Sequence, residues 1–134
     1  MAERRYEGGC LCGAVRYAGS GPATNLACCH CASCRRATGA PFVAWTTLPA
    51  DRFSFATEPG RYKSSPQVIR TFCTSCGTSL TYEHEQRPGE IDVTASTLDD
   101  PAELEPECHI WVSDKLSWVR LTDGLPQYAE WRRG

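Results

Sequence analysis

The chain has 134 residues, 41% of them hydrophobic, and a formal net charge of −2. That length supports one domain, 1–134, with its own core, and leaves too little for a second. The mixed, slightly acidic charge gives no large basic field, so electrostatically driven nucleic-acid binding is not expected, and no apolar run approaches the ~18 residues of a membrane span.

The chain opens on Met1-Ala2-Glu3-Arg4-Arg5-Tyr6. This stretch lacks the apolar run of a signal peptide, so a cytoplasmic protein is expected. Next comes Cys10-Leu11-Cys12, then a β-leaning run over 13–18, broken by Gly19-Ser20-Gly21-Pro22. A dense cluster follows, Cys28-Cys29-His30-Cys31-Ala32-Ser33-Cys34, and residues 32–38 can form a short helix ended by Gly39 and Pro41. Further short runs rich in Val, Thr, Tyr, Phe and Trp lie at 41–48, 52–56, 68–72, 78–83, 90–95 and 109–112. Turn residues such as Glu58-Pro59-Gly60 and Arg87-Pro88-Gly89 separate them. Residues 97–107 read as a series of turns, and Trp111, Trp118 and Trp131 as core or edge aromatics. Nowhere does an apolar spacing of 3.6 residues persist over several turns. The expected fold is therefore all-β, with short strands in more than one sheet and at most one or two short helical turns. Strand edges in so small a β protein leave a homodimer open.

Nine cysteines are an odd number, so full pairing within the chain is impossible. In a reducing compartment clustered cysteines read as metal ligands or catalysts. Cys10-x-Cys12 places two thiolates on one face of an extended segment. Cys73-x-x-Cys76-Gly77 reads as a turn-type metal knuckle, with Gly77 suited to a positive φ. Together they make a complete four-thiolate set, the composition of a structural zinc site. Tying residues 10–12 to 73–76 closes a loop of about sixty residues. That costs a few kcal/mol of chain entropy, against roughly 10–16 kcal/mol from zinc binding in small zinc peptides.

The middle cluster sorts by strand alternation. Cys29 and Cys31 share one face, Cys28 and His30 the other, and Cys34 returns on the following turn. This spacing predicts Cys29, Cys31 and Cys34 as ligands of a second zinc with an open fourth position. Cys28 or His30, or Cys108 or His109 from a distance, remain candidates to close it. An open zinc on thiolates suits sulfur chemistry, because it holds an incoming thiol as the nucleophilic thiolate. Hydrolytic zinc uses His and carboxylate ligands instead. Arg35 and Arg36 follow the triplet and are candidates for balancing its charge.

Three ordered motifs carry a family resemblance: Gly9-Cys10-Leu11-Cys12-Gly13-Ala14-Val15-Arg16-Tyr17, Cys29-His30-Cys31-Ala32-Ser33-Cys34-Arg35, and Arg70-Thr71-Phe72-Cys73-Thr74-Ser75-Cys76-Gly77-Thr78. The ending is similar too, with Pro106, His109-Ile110-Trp111-Val112, Trp118 and Asp123-Gly124-Leu125-Pro126. Over nearly its whole length the chain resembles the glutathione-dependent formaldehyde-activating enzymes, a group that includes the centromere-protein V domain. The resemblance implies a β-tent of small antiparallel sheets organised around zinc. It implies a structural zinc on Cys10, Cys12, Cys73 and Cys76 and a catalytic zinc on Cys29, Cys31 and Cys34. The implied reaction joins formaldehyde to the glutathione thiol, giving S-hydroxymethylglutathione, and is classed as a carbon–sulfur lyase; Arg35 and Arg36, with Arg61, Lys63 and Arg70, are then the candidate partners of the glutathione carboxylates. The same zinc–thiol chemistry on another glutathione adduct, or a non-catalytic zinc module, are the alternatives.

Overall fold

Ten strands, one helix and four single-turn 3-10 segments make up the described part of the chain, residues 4–132 of a computed structural model. In chain order they are β1 (Arg5–Gly9), β2 (Arg16–Ser20), β3 (Thr24–Cys29), α1 (Ala32–Thr38), β4 (Val43–Pro49), β5 (Phe53–Phe55) and β6 (Gly60–Ser65). β7 (Val68–Phe72), β8 (Ser79–His84), β9 (Glu90–Thr94) and β10 (Cys108–Ile110) follow. The 3-10 turns lie at Ala50–Arg52, Ala95–Thr97, Pro101–Glu103 and Val112–Asp114. β7 and α1 fall where the residue pattern places them. β1 and β6 are strands the pattern does not announce. β1 ends on two glycines, and β6 is polar and exposed along almost its whole length.

β1, β2 and β5 form a three-stranded antiparallel sheet. The other strands form a seven-stranded sheet in the order β10-β3-β4-β9-β8-β7-β6. All its pairings are antiparallel except β10 with β3, where Cys108, His109 and Ile110 lie beside Ala27, Cys28 and Cys29 in parallel. At Gly8 the β1 backbone runs so close to β2 that a Cβ would collide with the Tyr17 hydroxyl and the Thr97 carbonyl.

Alternation along the strands gives the large sheet two apolar faces. One packs against the small sheet: Tyr17, Leu48, Leu80, Ile91, Val93 and Leu98 are buried together, with Phe53 and Phe55 at the edge. Across the sheet, Ala27, Cys29, Cys34, Val43, Trp45, Cys108 and Ile110 form a second cluster. Two irregularities re-aim side chains between these faces. The register between β3 and β4 shifts between Thr24 and Ala27, where Asn25 has φ of 52°. The register between β7 and β8 shifts between Thr71 and Phe72. That shift lets Leu80 enter the core between the sheets while Tyr82, two residues on, packs against the second cluster. Trp118 and Trp131 depart from the expectation of core or edge burial; they are 66% and 54% exposed, because both follow β10 in the irregular ending.

Candidate functional site

Cys10, Cys12, Cys73 and Cys76 converge, with their sulfurs within 4.8 Å of one another. The Cys10–Cys12 and Cys12–Cys73 sulfur separations are both 3.7 Å. A tetrahedron of four thiolates about zinc, with Zn–S near 2.3 Å, has edges of about 3.8 Å, so the donor set fits that ion. Two similar turns present it. Cys10 N–H donates to the Val15 carbonyl and Gly13 N–H to the Cys10 carbonyl; Cys73 N–H donates to the Thr78 carbonyl and Gly77 N–H to the Cys73 carbonyl. Gly13 and Gly77, each directly after a cysteine, have φ of 80° and 81°, the left-handed region that a side chain resists. Backbone N–H groups then point at sulfur: Val15 at Cys10 Sγ (3.2 Å), and Ser75 and Cys76 at Cys73 Sγ (3.3 and 3.4 Å). Such donors favour thiolate over thiol. At Cys76 the Thr78 hydroxyl, 3.2 Å away, is the main cause of a pKa lowered to about 5.

The second group is Cys29, Cys31 and Cys34, again with sulfurs within 4.8 Å. Cys29 ends β3; Cys31 is the N-cap of α1, its sulfur accepting from Cys34 N–H at 3.4 Å; Cys34 lies in the first turn of the helix. The helix stops at Gly39, which has φ of 68° and donates its N–H to the Arg35 carbonyl. Hydrogen bonds from the Cys29 and then the Cys34 side chains draw the Cys31 thiol well below its ordinary range. The bond to Cys31, followed by that to Cys34, pushes Cys29 far up. Three crowded sulfurs thus hold one negative charge readily and resist more, the electrostatic situation that a bound cation relieves.

Cys28 is not part of either group. It is buried on the opposite face, where desolvation raises its thiol to about 11. Neither His30, Cys108 nor His109 joins the triplet. His30 instead enters a buried chain of side chains. The Asp123 carboxylate accepts from His109 Nε2–H (2.7 Å), so His109 Nδ1 accepts from His30 Nε2–H (2.9 Å). His30 is fully buried against the Phe42 ring, centroids 4.8 Å apart, and its Nδ1 has no partner. Burial above all holds its pKa down at about 4, so the ring is neutral.

A cleft of about 580 Å³ opens beside the triplet. Its walls come from the outer face of the large sheet and from the segment after β10. They include all three cysteines, with Trp45, Tyr82 and Trp111 beside them. The four-cysteine group does not line it. Its guanidinium groups are Arg70, Arg87 and Arg132; Arg35 and Arg36 do not line it. Those two follow Cys34 on the helix and turn from the opening; Arg35 Nε donates to the His30 carbonyl at 3.4 Å, and Arg36 is exposed. Arg61 and Lys63 also lie outside the lining. Arg87 is neutralised by Asp92 and Glu90, with N–O distances of 2.8 and 3.0 Å, and Arg132 pairs with Glu107 at 3.0 Å. Arg70 has no carboxylate partner among the described residues. It lies over the Tyr82 ring, 4.9 Å from the centroid, and its charge favours the thiolate forms of Cys31 and Cys34.

Trp45, Tyr82, His84 and Arg87 escape a reading of the cysteine motifs alone. The available signal is register: Ala27, two residues before Cys29, lies opposite Trp45, and alternation then carries the same face to Thr47 and across to Asp92.

Among the described residues no helix is long and apolar enough to cross a membrane. The family of glutathione-dependent formaldehyde-activating enzymes matches residues 5–114. The chain is 29% identical over 110 residues to an uncharacterized lyase of Schizosaccharomyces pombe, covering 82% of this chain and 80% of that protein. It is 27% identical over 126 residues to a Halomonas elongata protein provisionally named a glutathione-dependent formaldehyde-activating enzyme, covering 86% and 80%. A crystal structure of a Rhodobacter sphaeroides protein shares the fold, with a TM-score of 0.58 at 19% identity over 91% of this chain and 98% of that one. With its cysteine groups, sheet order and matched length taken together, the chain is a member of the glutathione-dependent formaldehyde-activating enzyme family.

Proposed function

We propose that the protein is a zinc-dependent carbon–sulfur lyase that makes and breaks the bond between the glutathione sulfur and the carbon of a small aldehyde, with S-hydroxymethylglutathione formation from formaldehyde as the family's version of the reaction. The observation that carries this reading is the placement of Cys29, Cys31 and Cys34 on the wall of the cleft, with no fourth His, Cys, Asp or Glu beside them among the described residues. Zinc on these three thiolates would keep one position for an incoming thiol and stabilise its thiolate form. Cys10, Cys12, Cys73 and Cys76 would hold a second, structural zinc.

The chain's own residues supply position and field. Arg70 places positive charge near the triplet, offsetting the excess negative charge of three sulfurs and a fourth arriving one. In the forward direction the glutathione sulfur forms a bond to the carbonyl carbon. The π pair moves to oxygen, which takes a proton from solvent water; the reverse direction breaks the same carbon–sulfur bond. Exchange NMR of formaldehyde with glutathione, with and without zinc-loaded protein, tests this. Acceleration over the spontaneous reaction is expected, and an unchanged exchange rate would defeat the proposal.

A further inference from the structure

The wall of the cleft is more aromatic than a one-carbon electrophile requires. Trp45 and Tyr82 stand on its sheet wall with ring centroids 6.0 Å apart, and Trp111 with Trp131 forms an edge-to-face pair at 5.7 Å where the ending crosses it. Trp131 is 54% exposed. Aromatic surface left open to water beside a reactive group is surface available to a ligand.

Backbone strain is concentrated at the same place. Only Asn25 (φ 52°) and Trp111 (φ 55°) are non-glycine residues with positive φ among the described residues, and both line the cleft. A tryptophan in the left-handed region costs on the order of 1–3 kcal/mol. The surrounding structure keeps it there through three backbone bonds: Trp111 N–H to the Glu130 carbonyl, Val112 N–H to the Tyr128 carbonyl, and Asp114 N–H to the Trp111 carbonyl. The strained turn aims a large flat side chain toward the site.

The charges do not favour a highly charged substituent. Arg87 and Arg132 are each paired with carboxylates, and the charge of Arg70 is directed at the three sulfurs, so among the described residues the lining holds no free cation for such a group. Polar side chains such as Asn25, Thr47 and Ser64 share the lining, and its apolar surface is contributed chiefly by Trp45, Tyr82 and Trp111.

We infer that the electrophile handled beside Cys29, Cys31 and Cys34 carries an aromatic ring, so that the preferred substrates are an aryl aldehyde and its thiol adduct. This rests on the thiol–carbonyl reading above and names the electrophile class. The bond changes are unchanged: sulfur adds to the carbonyl carbon, the oxygen takes a proton from water, and no oxidant or reductant is needed. The ring stacks on the tryptophan and tyrosine wall, a contact that formaldehyde cannot make.

The test compares S-benzylglutathione with S-methylglutathione as probes of the zinc-loaded full chain, with dissociation constants read from tryptophan fluorescence quenching and calorimetry. The benzyl conjugate is expected to bind at least about 10-fold tighter, the gain from burying one ring. Trp111→Gly removes the side chain while suiting the positive φ; with far-UV circular dichroism showing an intact fold, it should shrink the preference to within about 2-fold. Equal binding of the two conjugates by the parent protein overturns the inference and leaves the glutathione reading standing. A benzyl preference undiminished in Trp111→Gly also overturns it, since the ring would then lie elsewhere. Binding of neither conjugate overturns this inference and the glutathione reading together. A benzyl preference without formaldehyde exchange sustains the inference and defeats only formaldehyde as the substrate.

Discussion

Cys10, Cys12, Cys73 and Cys76 are drawn from two distant turns, while Cys29, Cys31 and Cys34 come from one strand end and the helix that follows it. The first set is knotted across the chain, down to a hydrogen bond from Leu11 N–H to the Thr78 hydroxyl at 3.1 Å. Its neighbours are the core between the sheets, which includes Cys10, Cys73, Tyr17 and Leu80. The second set closes no long loop, and it lines an open cleft. On the function proposed above, the same donor chemistry serves two ends. Where ligands join distant segments, ion binding is folding energy; where they are local and one side is open, it leaves the ion's attraction free for a ligand.

The largest effect expected from this contrast is at the knot. Cys73→Ser and Cys10→Ser should each lose the same equivalent of zinc and destabilise the domain by on the order of 5 kcal/mol or more. Zinc stoichiometry with thermal unfolding measures both, and loss of different ions by the two variants would break the pairing. Cys31→Ser should be milder for the fold. Serine can take over the N-cap of α1, so the melting temperature should stay within a few degrees. Meanwhile one zinc equivalent is lost and turnover falls at least about 100-fold. Global unfolding of Cys31→Ser would erase the distinction between the two groups.

His109→Ala should come next. It strips His30 and Asp123 of their partner and leaves a buried ring nitrogen unsatisfied, at a cost of about 2 kcal/mol in urea unfolding. Arg70→Gln should lower zinc affinity at the triplet about 10-fold and leave the four-cysteine ion untouched, a split readable by competition with a chromophoric chelator. The smallest effect is alkaline and belongs to the core beside the knot. Burial raises the Tyr17 hydroxyl to about 12 from its ordinary value of 10.0. The unfolded chain then loses this proton first. Stability should be full below pH 10 and fall as pH rises from about 10 to 12, by up to about 1.4 kcal/mol per unit. Tyr17→Phe should remove that slope.

Much of the site is legible in the sequence because strand alternation and knuckle spacing are local rules. They separate Cys29 and Cys31 from Cys28 and His30, and the structure keeps them apart. The helix from Ala32 to Thr38 is readable because Gly39 supplies its left-handed end. What escapes is long-range. Proximity in sequence suggests Arg35 and Arg36, but helix rotation carries them off the opening, and Arg70 arrives from β7, three strands away from β4 in the sheet. β6 escapes because it is an edge strand, polar and exposed along almost its whole length, with no apolar alternation to announce it. Asp123 reads as part of a turn, and its link to His109 depends on how the ending folds back beside β10.

Because β10 pairs with β3 in parallel, the residues that flank the Cys28–His30 segment are made long after it. On the ribosome the triplet emerges first, while its flanking strand and the Trp111 turn appear only after β4 to β9 have been made. Until then its sulfurs stand uncovered, so early metal capture protects them from oxidation better than the fold can. A chain stalled before Cys108 should react with a maleimide at these thiols far faster than the finished zinc-loaded protein does.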